Sequence, residues 1–349
     1  MKPYQSHTRN LQKALAAHSY HAAFIQSPSD LLYLTDLKLD GVFAFITPHT
    51  KMLFVPRMLR FQVREAVGSY RIREYTDIVK TVQHECRKQR IKQVWFDAQA
   101  TSAARAARFR SIPSLRSHFT PSVVLPLRCI KDHDEIVRIR KACSISVRMM
   151  HMAKRWMTGR TRESTVARNI QSFFLKHNAQ QAFDTIVAAG SNTSKPHHQP
   201  TSKKISKNTA IIIDAGAQYH GYCADLTRSF YLGKMNEFYS QIYRLVYQAK
   251  THALSMVRDG TKARDIDRAV RALFTKAGFG KYFVHSTGHG VGIDVHEPPR
   301  IGPKSTDVLK SGMVITIEPG LYFPGRFGIR MEDTLLVTDT GCRILSAGG

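Results

Sequence analysis

The spacing of apolar positions divides the chain into a first part with short elements and a second part with longer ones. Leu11 and Leu15 stand four residues apart in a polar segment, which predicts a helix near the start. A further helix is predicted over 57–67, ended by Gly68. This alternation predicts a small α/β domain over residues 1–125. Apolar runs predict its strands over 22–26, 41–47, 52–56 and 93–97.

Longer periodic segments follow in the second part of the chain. Asp132 and Glu135 have the spacing of a capping box, and apolar residues then recur at helical spacing until Gly159. A second helix is predicted from Thr161. Helix pairs therefore alternate twice with groups of strands, which predicts an antiparallel sheet with helices outside it over 132–349. The other helices are predicted near 236–258 and 263–276, and strands near 183–189, 210–214, 221–230, 314–318 and 330–337.

Composition agrees with a two-domain globular protein. The chain has 349 residues, 43% of them hydrophobic, and its segment 120–132 with two prolines is the expected domain boundary. No apolar run approaches the roughly 18 residues of a membrane span, and the start lacks the apolar region of a signal peptide. The cytoplasm is therefore the expected location. The 5 cysteines are scattered without a C-x-x-C pair, which predicts reduced thiols, with Cys223 packed beside the candidate site described next.

Five polar residues, each at a predicted strand end or in a Gly-rich turn, form a candidate ligand set. Four carboxylates and one imidazole offer hard oxygen donors and no thiolate, which favours Mn²⁺, Co²⁺ or Fe²⁺ over a structural zinc site. Mn²⁺ is the expected ion. Co²⁺, Fe²⁺ and Zn²⁺ are the alternatives. Four carboxylates balance the charge of two divalent ions, and such a pair activates water for hydrolysis of an amide or ester. The five predicted ligands are Asp214, Asp225, His289, Glu318 and Glu332.

The motifs around these residues resemble those of the pita-bread metallopeptidases, which include methionine aminopeptidase, aminopeptidase P and prolidase. The resemblance is strong over 125–349, and Ser29-Asp-Leu-Leu-Tyr-Leu-Thr-Asp36 resembles the N-terminal domain of the Xaa-Pro-cleaving members. It implies an α+β fold with a pita-bread catalytic domain and a smaller creatinase-like α/β domain. It also implies a homodimer and peptide substrates with proline at the second position. Creatinase shares the fold but lacks the metal ligands that this sequence keeps.

The resemblance also assigns roles to histidines outside the ligand set. His197 lies in Pro-His-His-Gln-Pro-Thr, similar to the family's P-H-x-x-P-T, and His285 and His296 flank the ligand His289. His197 and His296 are expected to contact the substrate carbonyl and the transition state, and His285 to lie near the proline. The ligand Glu318 is expected to relay a proton as well. His198 departs from the family pattern, in which a small residue is usual, and it is interpreted as a bystander, with a second polar contact as the alternative.

Charged residues inside the motifs have weaker assignments. Arg330 is expected to pair with a ligand carboxylate or to hold the substrate. Arg300 can bind a free C-terminal carboxylate, which would suit a dipeptidase. Three further acids are expected to orient ligands without coordinating metal. They are Asp294, Glu297 and Asp333.

The strong positive charge needs its own interpretation. The formal net charge is +26 at pH 7, and residues 103–117 hold 4 arginines and no acid. Such a balance is found in proteins that bind nucleic acid. Here the arginines are spread along the chain without interleaved stacking aromatics. Nucleic-acid binding is therefore not predicted, despite the charge.

Three functions remain after these arguments. An Xaa-Pro aminopeptidase (aminopeptidase P) is the leading hypothesis, and an Xaa-Pro dipeptidase (prolidase) is the alternative of the same class. Methionine aminopeptidase would leave the N-terminal domain unexplained. A pita-bread module that binds nucleic acid or peptides without catalysis is the alternative of a different class. The intact ligand set favours an enzyme.

Overall fold

The computed structural model describes residues 4–18 and 20–348. The chain forms two compact units, Met1–Arg128 and Cys129–Gly349. Within the described residues, none of the helices combines the length and the apolar character that crossing a bilayer requires.

The first unit is built on one six-stranded mixed sheet. Its strand order is β4-β3-β2-β1-β5-β6, and β1 pairs antiparallel with β2 and parallel with β5. The aromatic residues of these strands are buried on the sheet, where Phe24 contacts the rings of Phe43, Phe96 and Phe109. The elements are α1 (Tyr4–Ala17), β1 (Ala23–Ile25), α2 (Pro28–Thr35), β2 (Phe43–Ile46), β3 (Lys51–Val55), α3 (Arg60–Ala66), β4 (Arg71–Glu74), α4 (Ile78–Lys88), β5 (Gln93–Asp97), α5 (Ala103–Arg110), β6 (Arg116–Thr120) and α6 (Leu125–Cys129).

Four helices dominate the second unit. The predicted capping box is present: the Asp132 side chain accepts from the Glu135 N–H, and the Glu135 carboxylate accepts from the Asp132 N–H. The apolar faces of the last two helices pack on the strands in one continuous core that includes Ile242, Val246 and Phe274. The helices are α7 (His133–Trp156), α8 (Glu163–Lys176), α9 (Glu237–Met256) and α10 (Ala263–Lys276).

The strands of the second unit pair antiparallel throughout. They form sheets of order β11-β10-β7, β12-β9-β8, β14-β13-β15-β18-β19 and β16-β17. The strands are β7 (Gln180–Gln181), β8 (Ile186–Ala189), β9 (Thr209–Asp214), β10 (Ala217–Tyr219), β11 (Tyr222–Cys223), β12 (Thr227–Leu232), β13 (Gly288–Gly290), β14 (Glu297–Ile301), β15 (Val314–Ile317), β16 (Gly320–Phe323), β17 (Phe327–Arg330), β18 (Asp333–Val337) and β19 (Cys342–Ile344).

Two predicted strands are each interrupted in the structure. The segment 221–230 divides into β11 and β12, and 330–337 divides between the end of β17 and the start of β18. In both breaks the backbone N–H forms a hydrogen bond that does not belong to a regular strand ladder. The Asp225 N–H donates to Thr334 Oγ1 (3.2 Å), and the Glu332 N–H donates to the Thr227 carbonyl (3.2 Å). Each break therefore presents one of the candidate ligands.

Candidate metal centre

The first two candidate ligands come from the paired strands β9 and β12. Asp214 ends β9, and Thr227, the first residue of β12, is its partner across the ladder. Asp225 lies two residues before β12, in the break described above. Antiparallel pairing therefore brings the two carboxylates to the same end of this sheet.

The other three come from the five-stranded sheet and its edges. His289 is the middle residue of β13, and Glu318 directly follows β15, with its N–H donating to the Thr287 carbonyl (2.8 Å). Glu332 directly precedes β18. The glycines beside His289 permit a close backbone approach, since a Cβ at Gly290 would lie 2.2 Å from the Pro298 carbonyl oxygen.

The structure brings all five candidate ligands together. His289 Nε2 lies 3.6 Å from Asp225 Oδ2 and 3.5 Å from Glu318 Oε1. Donor atoms within 4.8 Å of one another form three overlapping sets: Asp225, His289 and His296; His289, Glu318 and Glu332; and Asp214, Asp225 and Glu332.

The orientation of the His289 ring suits metal ligation. Its Nδ1 lies 3.0 Å from the Gly290 carbonyl oxygen, which accepts only from a protonated Nδ1. That tautomer leaves the Nε2 lone pair directed at Asp225 and Glu318. Burial and the neighbouring His296 lower the pKa of His289 to about 4, so the ring is neutral near pH 7.

The carboxylates crowd together in a way that favours added cations. Burial, followed by mutual repulsion, raises the pKa of Asp225 and of Glu318 well above the usual range, and the pKa of Glu332 to about 8. Among the described residues, Asp214 Oδ1 is buried without a hydrogen-bond partner. A buried oxygen with no donor indicates a missing positive partner. The donor set therefore fits divalent cations.

Arg330 joins this cluster to the surrounding side chains. Its guanidinium donates to Asp214 Oδ2 (2.6 Å), Tyr322 OH (2.6 Å) and Thr227 Oγ1 (3.1 Å). Thr227 in turn donates to Glu332 Oε2 (2.7 Å). Arg330 thus pairs with a candidate ligand, the first of the two arrangements expected from the sequence.

Two of the three other acids of the motifs pair with basic side chains and belong to none of the donor sets described above. Asp333 Oδ1 lies 2.8 Å from Arg228 Nη2, and Glu297 Oε1 lies 2.6 Å from Lys131 Nζ in a buried ion pair. Cys223 is buried, and its thiol lies 3.2 Å from the Ile293 carbonyl oxygen. It is absent from the sets of candidate donors that the described residues form.

The three histidines expected to contact the substrate lie around the donor cluster. His296 lies beside His289, with ring centroids 4.2 Å apart. His285 Nε2 contacts Tyr322 OH (2.9 Å), and its Nδ1 lies 4.0 Å from Glu318 Oε2. Burial, Arg330 and the nearby His197 lower the pKa of His285 to about 3. The pKa of His296 is lowered mainly by burial and also by the nearby His197. His197 itself is exposed.

Arg300 lies beside the donor cluster without entering it. It is the cross-strand partner of His289 between β13 and β14, so the two side chains share a sheet face. Its Nε donates to Ser286 Oγ (3.0 Å), and the side chain is exposed. Among the residues that the structure describes, the Nη groups of this guanidinium have no hydrogen-bond partner, so they remain available beside the site.

Two polar residues of the site were missed in the sequence. Tyr322 bridges Arg330 and His285, and its signal was a hydroxyl in an otherwise apolar strand, since a buried tyrosine usually finds a hydrogen-bond partner. Glu163 accepts from His198 Nε2 (3.0 Å), and both residues are buried. His198 therefore has a buried carboxylate partner that the sequence did not predict, and its interpretation as a bystander in the chemistry stays untested.

The metal-free protein is expected to lose stability as pH rises. The pKa of Glu332 is raised to about 8 from 4.5. A carboxyl group whose pKa is higher in the folded than in the unfolded protein makes its full contribution to stability at pH values below the unfolded-state pKa. That contribution is lost as the pH rises through the folded-state pKa. Melting temperatures measured in chelator should therefore fall between about pH 5 and pH 8.

Glu332→Gln should flatten that fall, whereas Asp339→Asn, at an exposed position, should not. Divalent ions added to the unmodified protein should abolish this fall of the melting temperature, since the cations replace the protons on the carboxyl groups. An equal fall of the melting temperature in the chelated Gln variant would contradict the assignment of this effect to Glu332.

Comparisons with known proteins agree with this geometry. Residues 137–339 match the profile of metallopeptidase family M24, and residues 8–130 match the creatinase/prolidase N-terminal domain. The chain is 40% identical over 225 residues to an Xaa-Pro dipeptidase from Pyrococcus furiosus, which is 64% of this chain and 65% of that protein.

Solved structures are similar over nearly the whole chain. An Xaa-Pro dipeptidase from Bacillus anthracis superimposes with a TM-score of 0.95 at 25% identity, covering 99% of this chain and 98% of that one. An X-Pro aminopeptidase from Thermotoga maritima superimposes with a TM-score of 0.88 at 27% identity, covering 96% and 97%. These likenesses confirm the predicted α+β fold, with a pita-bread domain and a creatinase-like N-terminal domain.

Proposed function

Because the chain belongs to metallopeptidase family M24 and is a hydrolase, we propose that it cleaves the Xaa-Pro bond of dipeptides. The observation that carries this proposal is the convergence of four carboxylates and His289 on one cluster of donor atoms. The dipeptidase relatives support prolidase, the alternative, better than the aminopeptidase P interpretation favoured from the sequence. Aminopeptidase P is kept as the second candidate, because a structure of that activity is also similar.

Two divalent ions fit the donor set, and we propose Mn²⁺. They would be held by Asp214, Asp225, His289, Glu318 and Glu332. When bound, they supply Lewis acidity and an activated water. The assembly as a homodimer also stays a prediction.

Proton transfer, stabilisation of the carbonyl oxygen and binding of proline are proposed to be carried out by side chains of the protein. Glu318, whose carboxylate lies 3.5 Å from His289 and 4.0 Å from His285, is proposed to accept a proton and pass it towards the leaving nitrogen. His296 and His197 are proposed to donate to the carbonyl oxygen as its negative charge develops. Burial lowers the pKa of His285, so a neutral ring can line the proline subsite.

Arg300 is proposed to select dipeptides. A dipeptide presents its free carboxylate next to proline, whereas a longer peptide presents an amide there. An exposed guanidinium on the same sheet face as His289 can pair with that carboxylate. In this proposal the preference for dipeptides over longer peptides depends on Arg300.

A substrate panel tests the proposed function. After loading with Mn²⁺, Ala-Pro should be cleaved much faster than Ala-Pro-Ala, and Met-Ala-Ser should not be cleaved. Faster cleavage of Ala-Pro-Ala would favour aminopeptidase P. Cleavage of none of the peptides by protein holding two ions would favour the non-catalytic binding module.

Replacing Arg300 by Gln is expected to raise KM for Ala-Pro about 10- to 100-fold, because a hydrogen bond to a charged group contributes about 1.5–3 kcal/mol. The effect on kcat should be small, since the contact is made equally in the ground and transition states. Steady-state kinetics measure both constants. Arg258→Gln, at an exposed position on the chain, is the matched control. An unchanged KM for the Arg300 variant would remove this residue from substrate binding.

A further inference from the structure

A buried glutamate outside the donor cluster holds together the segment that carries His197. Glu163 is the first residue of α8, and its side chain has no exposed surface (0%). Its Oε1 accepts from the Ala189 N–H (2.8 Å) and Asn192 Nδ2 (3.0 Å). Its Oε2 accepts from the Thr201 N–H (3.0 Å), Thr201 Oγ1 (2.7 Å) and His198 Nε2 (3.0 Å).

The two oxygens therefore bind opposite ends of one segment, residues 189–201. Oε1 holds its start and Oε2 holds its end, and His197 lies between them, next to the bonded His198. Backbone bonds extend this attachment, since the Ser164 N–H donates to the Thr201 carbonyl (3.0 Å). One carboxylate thus closes the segment into a loop against α8.

The closed segment is linked to the donor cluster through Arg330. The Pro196 carbonyl accepts from Arg330 Nη1 (3.3 Å), and Arg330 binds the candidate ligand Asp214. On its other side, Thr193 Oγ1 accepts from the Gly328 N–H (2.8 Å), which lies in β17. A displacement of the segment would therefore move His197 relative to the cluster.

Glu163 is set up to act as an ionised acceptor. Burial alone would raise the pKa of Glu163, but the hydrogen bonds from Asn192, His198 and Thr201 lower it below its usual value. All five contacts made by its oxygens come from nitrogen or hydroxyl groups that can donate. A neutral isostere would therefore place donor against donor at this point.

We propose that Glu163 is a positioning residue, which fixes the segment 189–201 so that His197 is held at the reacting carbonyl. This inference rests on the proposed peptidase function for the role of His197. His198 and Thr201 contribute to this positioning, because they donate the hydrogen bonds that hold the end of the segment. Glu163 itself contacts neither metal nor substrate in this scheme.

The test is a double-mutant cycle between Glu163→Gln and His197→Ala. Glu163→Gln alone should lower kcat on Ala-Pro about 10- to 100-fold, the usual cost of losing a residue that orients a ligand or catalytic group. KM should change less, and the protein should still hold two ions by elemental analysis. In the His197→Ala background the same change should have little further effect, because the residue that it positions is gone. Glu237→Gln, at the exposed first residue of α9, is the matched control.

Hydrogen exchange gives a readout that is independent of activity. Glu163→Gln should speed exchange within 189–201 while exchange in α9 stays unchanged. If this variant does not fold, Thr201→Val removes one donor to the same oxygen and should show the same pattern with a smaller amplitude. Equal loss of kcat in both backgrounds, or unchanged exchange over 189–201, would overturn the proposal. A wild-type protein inactive on every Xaa-Pro peptide would instead overturn the proposed function, and the exchange experiment would still test Glu163.

Discussion

Replacing Asp225 by Asn is expected to abolish metal binding and peptide hydrolysis together. Asp225 belongs to two of the three overlapping donor sets, and its Oδ2 lies 3.6 Å from His289 Nε2. The amide keeps the shape of the side chain but loses one donor and the negative charge that a pair of divalent ions requires. Elemental analysis should find less than one ion per chain, with kcat/KM on Ala-Pro at background.

The fold should survive this change, because the backbone of Asp225 is held independently by Thr334. Removal of one carboxylate also relieves repulsion in the metal-free cluster, so the melting temperature in chelator should not fall. Asp339→Asn at an exposed position is the control for the charge change. Full activity with two ions still bound in the Asp225 variant would sink the assignment of this residue.

His296→Ala is expected to have the second largest effect. The ring lies beside His289, exposed at the edge of the donor cluster, where it can reach the carbonyl of a bound substrate. Loss of a donor to a developing oxyanion typically lowers kcat by roughly 10²–10³, equivalent to about 2.7–4 kcal/mol. KM should change less, since the contact strengthens mainly as charge develops. Steady-state kinetics on Ala-Pro, with metal content measured in the same sample, check both expectations.

The outcomes for His296 separate three roles. His296 shares a donor set with Asp225 and His289, so loss of an ion in the variant would make it a ligand. Near-normal kcat would make it a bystander and leave the oxyanion contact to His197. The exposed His252 on α9 provides a matched His→Ala control, for which no change is expected.

The sequence predicted the ligand-bearing motifs because each carries its own local signal. An acid that ends an apolar run, or a histidine between glycines, is visible without knowledge of the fold. The strand interruptions at Asp225 and Glu332 were not visible, because apolar residues continue on both sides of each break. What ends the ladder there is a bond to a residue more than 100 positions away, as between Asp225 and Thr334. Periodicity contains no information about such partners.

The attachment of His198 was unpredictable for a similar reason. Its partner Glu163 is 35 positions earlier, at the start of a helix, where an acid is common for local electrostatic reasons. Nothing in the local pattern distinguishes Glu163 from Glu237, which begins α9 and is exposed. Only the packing of the segment 189–201 on α8 separates a surface acid from a buried one.

The bond between Arg330 and Asp214 has a consequence for how the protein is supplied with metal. The guanidinium occupies one oxygen of Asp214 and leaves the other, Oδ1, without a donor among the described residues. One fixed positive charge therefore holds this side of the donor cluster in place before any ion is bound. Ions can then leave and return without the chain having to fold again around them. Chelation should accordingly be a reversible way to switch the protein off, and the supply of free ions in its surroundings can act as a control on its activity.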